Sequence, residues 1–138
     1  MNETIEKKVR YLEMIQGVIN RMASNSFMLK GWAVTLASGV FVLTPVDGNL
    51  FFFLVAYIPI VCFWVLDSYY LAEERAYRKL YKEARKLDES DVDFNMTAEK
   101  VGKKAICKCM FSISELLLYI PLAVVAAVVM IILSAVLS

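Results

Sequence analysis

The sequence predicts an all-α membrane protein with three transmembrane helices, an N-terminal amphipathic helix and a cytoplasmic helical extension of the second span. Three observations carry that prediction. The 138 residues are 59% hydrophobic with a mean hydropathy of +0.58, too apolar for a soluble chain with an ordinary surface. The apolar residues come in long unbroken runs, without the short apolar/polar alternation of an outer-membrane barrel. All fifteen Lys and Arg lie between Lys7 and Lys30 or between Arg75 and Lys108. Basic residues on short loops mark the cytoplasmic side, so the N-terminus and the middle segment are expected inside and the hairpin turn outside. The chain opens on an acidic and basic amphipathic stretch, not on a cleavable signal sequence. The expected location is the bacterial inner (cell) membrane, with the C-terminus outside.

Residues 1–25 read as a cytoplasmic amphipathic helix. Ile5, Val9, Leu12, Ile15, Ile19 and Met22 recur at spacings of three and four, with Glu6, Lys7, Arg10 and Glu13 on other faces. Its mixed-sign charges favour packing on a partner helix over lying on lipid.

Residues 26–71 read as a transmembrane hairpin. The first span runs from about Phe27 to Leu43, with Lys30 and Trp32 at its cytoplasmic end as snorkelling cation and interfacial ring. Gly31, Thr35 and Gly39 form a small-residue face that lets a helix approach closely, expected to pack within the hairpin, with a subunit interface as the alternative. TPVDGN, residues 44–49, is a turn by its Pro, Gly, Asp and Asn. The return span, Leu50 to Leu66, contains Pro59, a candidate hinge because proline removes a helix hydrogen bond.

A depth count across the hairpin pairs residues equally far from the turn. Lys30 meets Asp67, Asn25 meets Tyr70 and Arg21 meets Glu74, within a mismatch of about two residues, or ~3 Å of helix rise. A carboxylate at the inner boundary is tolerable only when paired or hydrated. Lys30 and Asp67 therefore either lock the hairpin or line an ion path.

The second span leaves the membrane without a helix breaker, as FWVLDSYYLAEERAYRKLYKEAR, and opens a cytoplasmic region over residues 72–110. Leu66, Tyr70, Tyr77, Leu80, Ala84 and Leu87 keep a four-three spacing, with Glu73 as the charged member of the row. This seam needs a partner, either the N-terminal helix or a neighbouring subunit. Arg75, Arg78, Lys79, Lys82 and Arg85 lie off the seam; they either set topology or bind a small anionic ligand or lipid headgroups. Nucleic acid is not expected, because Glu73, Glu74 and Glu83 interrupt the charge. DESDVDFN, residues 88–95, reads as a loop, and Thr97 as the N-cap of a short helix reaching Met110. Residues 111–138 hold the third span, Ile113 to Leu137, with Glu115 and Ser112 at its inner end and Pro121 as a second candidate hinge.

Catalysis is not expected. There is no histidine and no glycine-rich phosphate loop, and no serine or cysteine has an adjacent base that would make it a nucleophile. Cys62, Cys107 and Cys109 fall in a span or on the reducing side, which disfavours disulfides, and offer too few ligands for a metal. No cofactor is expected.

The stretches RMASNSFMLKGW and LDSYYLAEERAYRKLY resemble small bacterial membrane proteins. In plan, a hairpin followed by a cytoplasmic helix, the chain is similar to the SLATT-type membrane effectors found beside antiphage defence systems. That resemblance implies a homo-oligomer that permeabilises or depolarises the membrane when a cytoplasmic sensor protein signals. No site residue transfers with it. Two other readings follow from the residues: a non-conducting anchor recruiting a cytoplasmic partner through the seam, and a small ion-coupled transporter.

Overall fold

The computed structural model describes residues 3–43 and 50–137, and their regular structure is entirely helical. The turn expected at residues 44–49 lies outside the described residues. Helix α1 spans Glu3–Leu43 and α2 spans Leu50–Ala84. A single 3-10 turn at Glu89–Asp91 follows, then α3 over Lys103–Met110 and α4 over Ile113–Leu137. Three of these helices are long and apolar enough to cross a membrane.

The charged N-terminal stretch and the first apolar run form one uninterrupted helix, because no proline separates them and Ser24, Asn25 and Ser26 continue the hydrogen-bond ladder. Pro59 and Pro121 lie inside α2 and α4, which continue through both. Each proline withholds one N–H from the carbonyl four residues before it.

Helix α2 is central and touches α1, α3 and α4. The packing falls into two apolar clusters. In the apolar half, Ala33 and Ala37 of α1, Ile60 of α2, and Tyr119 and Ala126 of α4 are buried together. Alanines on α1 let the helices approach closely, and Tyr57 ties α2 to α4 by donating to the Ala123 carbonyl at 3.2 Å. In the charged half, Tyr11, Ile15 and Ile19 of α1 pack on Ala84, with Tyr77, Leu80 and Tyr81 around them.

The connection from α2 to α3 folds back over this second cluster. Val92 and Met96 pack against it, Tyr11 donates to the Asn95 carbonyl at 2.6 Å, and Lys8 donates to the Leu87 carbonyl at 2.7 Å. Phe94 sits at φ 56°, a left-handed conformation that is unfavourable for a bulky side chain. Its ring stands edge-on to Tyr11, 5.7 Å away, and the next N–H, of Asn95, donates to Asp93 Oδ1 at 3.0 Å.

The helix expected from Thr97 instead begins at Lys103, with Gly102 as N-cap. The Asn95 side chain accepts the Thr97 N–H at 3.0 Å. This local side-chain turn accompanies a non-helical backbone over residues 95–97.

Candidate functional site

Between the two apolar clusters lies a polar layer. Ser26 and Lys30 are one turn apart on α1, between Ile19 of one cluster and Ala33 of the other. Asp67 occupies the equivalent level of α2, and Glu115 opens α4, with Tyr119 one turn further on the same face. Asp67 and Glu115 are both fully buried.

Lys30 uses all three ammonium protons here. It donates to Ser26 Oγ at 3.0 Å, to Glu115 Oε1 at 3.0 Å, and to Asp67 Oδ2 in the closest ion pair of the group. Ser26 donates to Asp67 Oδ1 at 2.5 Å, and Tyr119 donates to Asp67 Oδ2 at 3.1 Å. Asp67 thus accepts three hydrogen bonds. Glu115 accepts one, and its Oε2 is buried without a hydrogen-bond partner, as is Ser112 Oγ one turn before it. One cation faces two carboxylates. Lys30 keeps 21% of its side chain exposed while Asp67 and Glu115 keep none, so Lys30 is the ion of this group whose side chain has a surface.

Trp64 fixes the entry of α4 into this layer. Its Nε1 donates to the Met110 carbonyl at 3.2 Å, and its ring stacks on Tyr119 at 6.0 Å and meets Phe111 edge-on at 6.3 Å. The indole therefore holds the α3–α4 junction against α2. Ser68, also buried, donates back to the Trp64 carbonyl at 2.7 Å.

The other residues singled out in the sequence are dispersed. Glu74 pairs with Arg78 at 2.7 Å, whereas Arg21 is exposed on α1; no hydrogen bond joins Asn25 to Tyr70 among the described residues, and Tyr70 instead meets the Tyr69 ring edge-on at 5.8 Å. Of the seam, Tyr77, Leu80 and Ala84 face the N-terminal half of α1 in the same chain, Glu73 is half-buried and Leu66 and Leu87 are exposed. Gly31 and Thr35 are exposed and Gly39 is half-buried. A Cβ at either glycine would meet nothing within 4 Å. The small-residue face therefore points away from the hairpin interior, and Ala33 and Ala37 make the close approach instead.

Among the basic residues, Lys82 and Arg85 are exposed, and Lys79 pairs with Glu99 at 2.6 Å. Arg75 and Lys79 line one open groove with Lys100 and Lys104. The Lys79 ammonium beside Glu99 holds that carboxyl below its usual range. Burial pushes the Cys109 thiol up, and the three cysteines are free. No group of three Cys, Asp or Glu side chains suits a metal ion among the described residues.

Ser26, Glu115, Tyr119 and Trp64 join Lys30 and Asp67 without having been singled out as site residues. Glu115 carried a readable signal as the single charged residue after Cys109. Ser26 and Tyr119 lie four residues from Lys30 and Glu115, on the same helix faces. The chain matches no protein-family model, no curated protein and no solved structure.

Proposed function

We propose that the protein is an oligomeric effector of the bacterial inner membrane that permeabilises or depolarises it in response to a cytoplasmic signal, in the setting of antiphage defence. The buried Lys30–Asp67–Glu115 cluster carries this reading. It lies where the apolar three-helix half meets the charged half, and its members come from all three apolar helices. Intramembrane ionisable groups are functional by default. A change imposed on the charged half of α1 and α2 passes along continuous helices to this layer, because Ser26, Lys30 and Asp67 belong to the same two helices as Ile15 and Tyr77.

In this reading the Lys- and Arg-rich half is cytoplasmic and the end of α4 is outside. The ion cluster acts as a latch at the inner boundary, and conduction belongs to the assembled oligomer. A single chain buries Ala33, Ala37, Ile60 and Tyr119 together between its helices. Surface for assembly is plentiful: α4 buries only 11% of its most apolar window inside the chain, and the Gly31–Thr35 face is open.

Tyr77, Leu80 and Ala84 pack on α1 of the same chain, which favours this reading over an anchor or adaptor that recruits a partner through the seam. The buried carboxylates keep one second reading in view, an ion-coupled transporter.

The test is ion flux in liposomes containing the purified protein, with subunits counted by particle imaging. A defined homo-oligomer is expected, with a low resting leak that Asp67→Asn raises. Loss of flux in Asp67→Asn, with assembly intact, would favour the transporter instead. A monomeric and electrically silent protein would end both.

A further inference from the structure

We propose that Glu115 is the binding site for one exchangeable proton, held on the carboxyl oxygen that faces no partner. Charge counting sets the need. Asp67 and Glu115 are fully buried and share one ammonium, Lys30. With both carboxylates ionised, the layer would hold one buried negative charge without a counter-charge, the least favourable arrangement available to it.

Hydrogen bonding decides which carboxyl takes the proton. Both oxygens of Asp67 are occupied, by Ser26, Lys30 and Tyr119. A proton added to either oxygen of Asp67 would compete with a donor already bound there. Glu115 receives Lys30 on Oε1 alone, and Oε2 is buried with no partner. A proton there neutralises the excess charge and leaves every existing hydrogen bond in place.

A metal cation does not serve. Hard cations require several oxygen ligands, whereas Glu115 Oε2 and Ser112 Oγ are the two buried, unpartnered side-chain oxygens among the described residues.

The groups facing Glu115 are Lys30 from α1, Asp67 from α2 and Tyr119 from its own helix. Beyond Cys109 of α3 stand Arg75 and Lys108. On release the proton passes to bulk solvent and Glu115 is left as a carboxylate; Lys30 is the cluster member with exposed side-chain area. The layer then carries one net negative charge and loosens. That deepens the latch reading and rests on it only for the link between proton release and conductance.

Infrared difference spectroscopy of the full chain in nanodiscs, between neutral and alkaline pH, tests the site without any flux measurement. Wild type should lose one protonated-carboxyl carbonyl band per chain on going alkaline. In wild-type protein carrying heavy-carbon glutamate that band should shift, and with heavy-carbon aspartate it should stay, a result that needs no variant to fold. Glu115→Gln, which keeps the size and neutrality of the protonated acid, should lack the band and lose the alkaline fall in melting temperature expected of wild type. No band at neutral pH, a band that follows aspartate labelling, or a band surviving in Glu115→Gln would overturn the assignment. Proton binding without any flux would leave the site standing and overturn the conducting role alone.

Discussion

Lys30 is the single positive charge in a layer with two buried carboxylates, and its removal has a definite consequence. Breaking a buried ion pair from one side typically costs about 3–5 kcal/mol, because the remaining charge is left uncompensated. Lys30→Met should therefore destabilise the protein by that order, measured by denaturant unfolding in mild detergent. The double change Lys30→Met with Asp67→Leu should recover part of the loss, since it removes the stranded charge as well. Trp64→Phe makes a smaller test: it deletes the bond to the Met110 carbonyl, worth about 1 kcal/mol, and should weaken the α3–α4 junction before it affects α1. At this scale the sequence spoke only in part. Equal distance from the hairpin turn placed Lys30 opposite Asp67. Glu115 was legible as the inner end of the third span, but its contact with Lys30 could not be read the same way, because no tight turn joins α4 to the hairpin and the irregular path of residues 85–102 sets where α4 docks.

The pairing of α1 with α2 in the charged half rests on few side chains, among them Ile15, which is fully buried. Ile15→Ala should cost about 2–5 kcal/mol, the range for deleting a buried aliphatic side chain, and hydrogen exchange should rise first in the N-terminal turns of α1. Tyr77→Asp combined with Leu80→Asp should release the same half-helix while Lys30 and Asp67 stay paired. The connection over this cluster has a pH dependence of its own. Lys79 holds the Glu99 carboxyl below the usual carboxylate range, so the pair contributes above the ordinary carboxylate titration and is lost as pH falls through the depressed value. Both groups are exposed, so the effect is confined to this loop: backbone exchange around residues 97–102 should rise in acid, and Glu99→Gln should abolish that rise. Element by element, the three apolar helices were legible from hydropathy and the charged half of α2 from its four-three spacing. The start of α3 was not, because Thr97 looks like an N-cap in sequence and is captured instead by the Asn95 side chain. Nor was the outward turn of Gly31 and Thr35. A row of small residues announces that close approach is feasible, and which row is used depends on the rotation of α1, fixed here by Ala33 and Ala37.

In the whole molecule, one layer of buried charge divides an apolar three-helix half from a charged two-helix half, and two helices run through both. In the proposed latch, a rotation or tilt of one half is felt by the other through the layer, and the proton on Glu115 separates its two states. Its apolar helices bury little of themselves within one chain, leaving faces that lipid tails or, in the proposed oligomer, a further copy would cover. Ion flux through proteoliposomes, wild type against Asp67→Asn, bears on this most directly. If the cluster is the latch, weakening it by even ~1.4 kcal/mol shifts the closed-to-open balance about tenfold, and the resting leak of Asp67→Asn should rise by at least that factor with the oligomer intact. An unchanged leak in an intact oligomer would contradict the latch.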